Sequence, residues 1–197
     1  MRIVTRTALA LTAVVALAAC DRSQTPAAPT EPAAPATAPA ADSGPSVGDS
    51  GLALEAEGLR LFDDTGAARA IPFGTPQATA IASLAASIGG AVPEVTTNAE
   101  CGAGPVQSAK FSNGLQLLFQ NDQFQGWFVD QAGMTTVDGM GVGSTRGSIE
   151  GSRTIEMQED STLGAEFDSG GVGGFLTDAT PQGTVTGLYA GLTCFFR

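Results

Sequence analysis

The chain has 197 residues, with 9 Lys and Arg against 20 Asp and Glu, no histidine, three cysteines and a formal charge of −11. That length can bury a core adequate for independent folding, while the acid excess tells against nucleic acid, whose phosphates need clustered Lys and Arg. Lack of histidine removes Ser-His-Asp and Cys-His nucleophile activation, the commonest zinc ligand and the usual group that titrates near neutral pH.

In chain order, the first 20 residues show a basic start with Arg2 and Arg6 and then an apolar run from Ala8 to Ala19. That run is too short to span a bilayer permanently and reads as a signal peptide. Its end, Leu17-Ala18-Ala19-Cys20, closely resembles the bacterial lipoprotein signal, in which a small-residue triplet opening with leucine precedes a lipidated cysteine. The resemblance implies removal of residues 1–19, acylation of Cys20 as the new N-terminus, and a periplasm-facing protein held on a membrane without spanning it. Asp21 after that cysteine resembles an inner-membrane retention signal in some bacteria and carries no such meaning in others, so the inner and outer membranes both stay open. Losing Arg2 and Arg6 leaves 7 basic against 20 acidic groups, a mature charge of −13.

Residues 20–50 form an Ala/Pro-rich tether with Pro26, Pro29, Pro32, Pro35, Pro39 and Pro45. Such a segment buries too little to offset ordering, and extended polyproline II at about 3.1 Å per residue would let it reach about 90 Å from the bilayer.

Globular composition begins at Gly51. Gly58-Leu59-Arg60-Leu61-Phe62 alternates, Asp64-Thr65-Gly66 signals a turn, and Ala68 to Phe73 completes a predicted hairpin. Thr75-Pro76 predicts an N-cap with proline at the first helical position, and Gly89-Gly90 the stop. Ile81, Leu84, Ala85 and Ile88 fall on one face of that helix, whose lack of charge from Ala78 to Ile88 predicts cover on more than one side. A loop containing Pro93, Cys101 and Pro105 precedes three strands, Val106 to Ser112, Leu115 to Gln120 and Phe124 to Asp130, with a hairpin at Asn113-Gly114. Further on, Ser144 caps a short predicted helix through Arg153, in which Gly147 and Gly151 each cost about 1 kcal/mol relative to alanine. Thr162 to Asp168 and Val172 to Thr177 flank Ser169-Gly170-Gly171, and Thr184 to Phe196 closes the chain.

The two halves, 51–131 and 132–197, share local chemistry. Gly74-Thr75 and Gly143-Ser144 each place glycine and a hydroxyl residue ahead of a helix; Ala109-Lys110-Phe111 sits over Ala165-Glu166-Phe167, and Gly126-Trp127 near Gly187-Leu188-Tyr189. This arrangement resembles the tandem helix-plus-antiparallel-sheet proteins that include the β-lactamase inhibitor protein and the small lipoproteins of outer-membrane β-barrel assembly. The resemblance implies an α+β fold of two tandem repeats, each a short helix packed on an antiparallel β-meander, and binding of other proteins without catalysis. No binding residue of a relative maps onto a position here.

Cys101 and Cys194 are an even pair left for an oxidising compartment, with no CxxC and no adjacent histidine or lysine to favour a thiolate, and a structural disulfide is expected. Gly139, Gly141 and Gly143 lack the third glycine of a dinucleotide fingerprint, which would stand at Arg146, and the Gly-Lys-Ser/Thr of a Walker loop, so no cofactor is expected. No calcium-loop pattern or other metal motif is present. Glu166 and Asp168 share a strand face at period two, which more often means a solvated face than an acid pair, though glycoside hydrolysis needs only two facing carboxylates. In Phe124 to Val129, either Phe124 and Phe128 or Trp127 and Val129 face the helix. Core packing against the other repeat is the first reading of the Trp127 segment; Trp127, Phe124, Glu166 and Asp168 are the candidate interaction surface. The expected function is a lipid-anchored envelope protein that binds another envelope protein carrying a basic patch. The alternatives are a carboxylate-dependent envelope hydrolase and binding of a small apolar ligand between helix and sheet.

Overall fold

A computed structural model describes residues 51–88 and 93–195; the expected signal segment, Cys20, the expected tether and the expected helix stop at Gly89-Gly90 lie outside them. The first hairpins are β1 (Leu52–Glu55), β2 (Gly58–Phe62) and β3 (Ala68–Pro72), followed by α1 (Gln77–Ser87). Next come β4 (Glu94–Asn98), β5 (Val106–Lys110), β6 (Leu115–Gln120), β7 (Gln123–Val129) and β8 (Thr135–Thr136). After α2 (Arg146–Glu150) the chain forms β9 (Glu156–Met157), β10 (Ala165–Ser169), β11 (Val172–Leu176) and β12 (Val185–Gly191).

The expected α+β tandem of helix-plus-meander repeats is not what forms. Among the described residues the body is mostly β, twelve strands in two sheets with two helices of 11 and 5 residues. The physical reason is that a second sheet, in the order β3-β2-β1-β8, supplies much of the cover that the repeats assigned to helices. Its Leu52, Leu54, Leu59, Leu61 and Ile71 enter the same core as Leu117, Trp127 and Leu188 of the larger sheet. Strand β1, missing from the sequence reading, pairs antiparallel with β2 and parallel with β8.

The larger sheet is antiparallel throughout, in the order β4-β5-β6-β7-β12-β11-β10-β9. It thus consists of two four-strand meanders laid edge to edge at β7 and β12, where Phe128 stands directly opposite Tyr189. The segments ahead of the helices dock on these inner strands by one device. Phe124 N donates to Thr75 O and Gly74 N to Phe124 O, as Val185 N donates to Ser144 O and Gly143 N to Val185 O.

Turn chemistry sets the register. Phe111 N donates to Leu115 O around Gly114, whose φ of 85° needs glycine, while Asn113 stays outside the positive-φ region that a two-residue Asn-Gly hairpin turn would use. The tight turn between β6 and β7 uses Asn121 and Asp122, at φ 52° and 58°, residue types that tolerate the left-handed region because their short side chains bond locally.

Both helices differ from expectation. Pro76, not Thr75, is the cap of α1 and makes no side-chain cap bond; the Thr75 hydroxyl instead donates to Pro72 O at 2.7 Å. Of α1 only Ala80 and Leu84 are buried, while Ala78, Thr79, Ala82, Ala86 and Ser87 are exposed. The helix is therefore covered on one side, and its lack of charge reflects alanine and hydroxyl residues in water. Thr145, not Ser144, caps α2 by accepting from Ser148 N, and that helix ends at Glu150 rather than Arg153. Gly151, with its low helix propensity, stands at its C-cap. Strand β4 occupies part of the loop expected before β5.

Candidate functional site

The face of the larger sheet turned away from the core carries the richest set of side chains. Which residues reach it is decided by two bulges. Along β7 the pairing runs Phe119 with Phe124 and then Leu118 with Gly126, so Gln125 is the extra residue. A bulge reverses the alternation, and Phe124 therefore joins Trp127 and Val129 in the core while Phe128 turns outward. Of the two pairings expected for Phe124 to Val129, the one that turns Trp127 and Val129 inward holds, with Phe124 added to it by the bulge. In β12 the pairing of Leu176 with Val185 and of Phe175 with Gly187 makes Thr186 the extra residue, and Tyr189 turns outward beside Phe128.

Glycines cut this outer face low. A Cβ on Gly126 would lie 2.1 Å from the carbonyl oxygen of Leu192, and one on Gly173 would lie 2.2 Å from the Tyr189 ring. The chain after β12 uses that space: Leu192 N donates to Gln125 O at 2.8 Å, and Leu192 to Phe195 run across the sheet as a strap. Cys194 in the strap is joined to Cys101, their Cα atoms 5.4 Å apart. Phe195 then packs edge-on against three rings, Phe128 at 5.9 Å, Phe175 at 5.2 Å and Tyr189 at 5.2 Å between centroids. Edge-to-face contacts of this kind contribute about 0.5–1.5 kcal/mol each beyond area burial.

Beside the aromatic cluster sits a buried carboxylate. Tyr189 OH donates to Glu166 Oε1 at 2.5 Å and Ser161 Oγ to Glu166 Oε2 at 2.5 Å. Glu166 and Asp168 do share a face, yet it is not a solvated pair: Glu166 is fully buried with both oxygens engaged, while the half-buried Asp168 caps the β10–β11 turn by accepting from Gly171 N. A sealed carboxyl group presents no oxygen to a substrate, and the hydrogen bonds it accepts offset the cost of taking it out of water.

Of the candidate surface residues, Trp127 and Phe124 also lie inside. Trp127 Nε1 donates to Glu55 O at 2.8 Å, tying the two sheets together, and Phe124 packs on Phe73 at 5.0 Å and Phe119 at 6.1 Å. Residues that sequence reasoning passed over take their place on the outer face: Phe128, Phe175, Tyr189 and Phe195, and toward β4 the polar set Thr96, Asn98, Ser108 and Gln116. Pairings between distant segments bring Phe128, Phe175 and Tyr189 together, and Phe195 lies outside any strand, so period-two counting does not find the set. Among the described residues no three His, Cys, Asp or Glu side chains converge on a point that would hold a metal.

Charge is distributed unevenly. Arg60 pairs with Glu55 at 2.6 Å, Arg146 with Glu150 at 2.8 Å, and Arg153 with Asp138. Arg69 and Lys110 stand outside these pairs, whereas Glu57, Asp64, Glu94, Glu100, Asp122, Asp130 and others are exposed acids. The net negative charge is thus displayed on the surface.

Burial pushes the Asp138 carboxyl up, but hydrogen bonds from Thr136 and Arg153 and the Arg153 charge outweigh it and hold the group below the usual carboxylate range. A depressed folded pKa contributes stability above the unfolded value of about 4, lost as pH falls through the folded value. Asp138→Asn is therefore expected to narrow the drop in urea midpoint between about pH 6 and about pH 3; an unchanged drop would show that this ion pair carries no acid sensitivity.

No protein-family model, no curated protein and no solved structure matches this chain. No helix among the described residues is long and apolar enough to cross a membrane.

Proposed function

We propose that this is a lipid-anchored cell-envelope protein, held at Cys20 on a tether, that binds a second envelope protein through the free edge of β4 and does no chemistry on it. The observation that carries the reading is β4 itself. Among the described residues it is the outermost strand of the eight-stranded sheet, Glu94 to Thr97 are all exposed, and Val95 is the exposed large hydrophobic, at 49%. An edge of this kind offers unpaired backbone N–H and C=O groups to an added strand, which is how extended peptides dock on sheets. Its acidic flanks, Glu94 and Glu100, and the surface acid excess favour a basic segment in the partner.

A photo-crosslinker placed at Val95 or Thr97 in cells is expected to yield one discrete adduct that weakens with added salt, and a crosslinker at the exposed Thr180 none. Adducts of equal pattern from all three positions, or none from β4, would sink the edge-docking reading. Cys20→Ser is expected to abolish incorporation of labelled fatty acid and release the protein from membranes; retention of label in that variant would overturn the anchor.

A further inference from the structure

Between β4, β5, β6 and the strap lies a groove of about 320 Å³, at the small end of the roughly 300–1,000 Å³ typical of ligand pockets. Its lining is unusual for so acidic a chain, because among the described residues no Asp, Glu, Lys or Arg contributes to it. Thr96, Asn98, Ser108 and Gln116 supply hydroxyls and carboxamides, and Leu118, Phe128 and Phe195 supply apolar and aromatic surface. The polar members are organised: Gln116 Nε2 donates to Ser108 Oγ, which leaves the Gln116 carbonyl as an acceptor and the Ser108 hydroxyl hydrogen as a donor. Asn98 holds the far wall, its Nδ2 on Cys194 Sγ at 3.3 Å and its Oδ1 accepting from Glu100 N at 2.9 Å.

We propose that this groove binds a short neutral glycan, of one or two sugar rings, at a site separate from the outward edge of β4. An uncharged lining leaves an ionic ligand without a counter-charge and makes its desolvation costly. A purely apolar ligand would bury the Ser108 and Gln116 groups unsatisfied, which disfavours it. A sugar ring matches both halves of the lining, since its C–H faces lie on Phe128, Phe195 and Leu118 while its hydroxyls both donate and accept. The strap forms one wall, so the site exists only when Cys194 and Phe195 are in place.

The test is a titration of the full mature, isotope-labelled protein in detergent micelles with N,N′-diacetylchitobiose and with cellobiose, followed by amide NMR. The expected result is a dissociation constant of about 1 mM for at least one disaccharide, with shifts confined to the neighbourhoods of Asn98, Ser108, Gln116 and Thr193. Gln116→Ala is expected to weaken binding about tenfold and the exposed Thr96→Ala about threefold, with amide spectra otherwise retained. No shift from either disaccharide at roughly tenfold above 1 mM would overturn the proposal. Binding unchanged in both variants, or tighter binding of trialanine at the same amides, would overturn it as well.

Discussion

Replacing Trp127 by alanine is expected to remove most of the stability of this fold. The side chain is the largest of the fully buried ones and sits where the small sheet meets the eight-stranded one. Truncating a buried aromatic costs about 3–5 kcal/mol through lost transfer energy and the cavity left behind. The indole also donates to Glu55 O, and losing that bond adds about 1 kcal/mol. Against a typical total of about 5–15 kcal/mol, that is a large share. Trp127→Phe keeps most of the packing and loses the hydrogen bond, and should fall between, at about 1–3 kcal/mol. Urea unfolding followed by far-UV circular dichroism reads both. A Trp127→Ala midpoint close to that of the unmodified protein would show that the two sheets do not depend on one another.

The second large effect is expected at the Cys101–Cys194 pair. The two residues are 93 positions apart, and closing a loop of that length restricts the unfolded chain by about 4–5 kcal/mol in the chain-entropy account. The pair also fixes the strap, so its loss acts on both the unfolded and the folded states. A Cys101→Ser, Cys194→Ser double variant is expected to unfold at a much lower urea concentration, and the unmodified protein in dithiothreitol should match it. Phe195 should then leave the aromatic cluster, seen as loss of upfield ring-shifted signals from Phe128 and Phe175. A double variant as stable as the oxidised protein would mean that packing alone holds the strap.

These two effects sit at opposite ends of what could be read from residues. Hairpin signals were clear because they are local: Asp64-Thr65-Gly66 and Gly170-Gly171 specify their turns by backbone preference, and β2, β3, β6 and β11 stand within a residue or two of where the alternation places them. Strand β4 was hidden, since Glu-Val-Thr-Thr-Asn at a sheet edge has no buried face and hence no alternation to detect. Trp127 and Val129 share the core face as one of the two alternatives has it, but Phe124 parts from Phe128 because period-two counting assumes an unbroken ladder. Gln125 breaks it, and a single inserted residue reverses every side chain beyond. For Glu166 the pattern was right and the burial wrong. Its neighbours on the sheet are known from spacing, but Ser161 and Tyr189 reach it from positions 5 and 23 residues away.

By itself the sequence determined the features that depend on short stretches or on composition: an apolar run ending at Cys20, a proline-rich segment after it, an acidic composition without histidine, tight turns, and an even pair of cysteines in the body. Each follows from local backbone preference or from summed charge, which need no knowledge of what packs where. Only the tertiary structure decided that β1, β2, β3 and β8 form a second sheet over the core, that Trp127 is a bolt between sheets rather than a contact surface, and that the strap makes a groove on the outer face. Those outcomes rest on pairings between residues far apart in the chain, and such pairings are chosen by burial of the whole apolar set at once, a quantity no single segment contains.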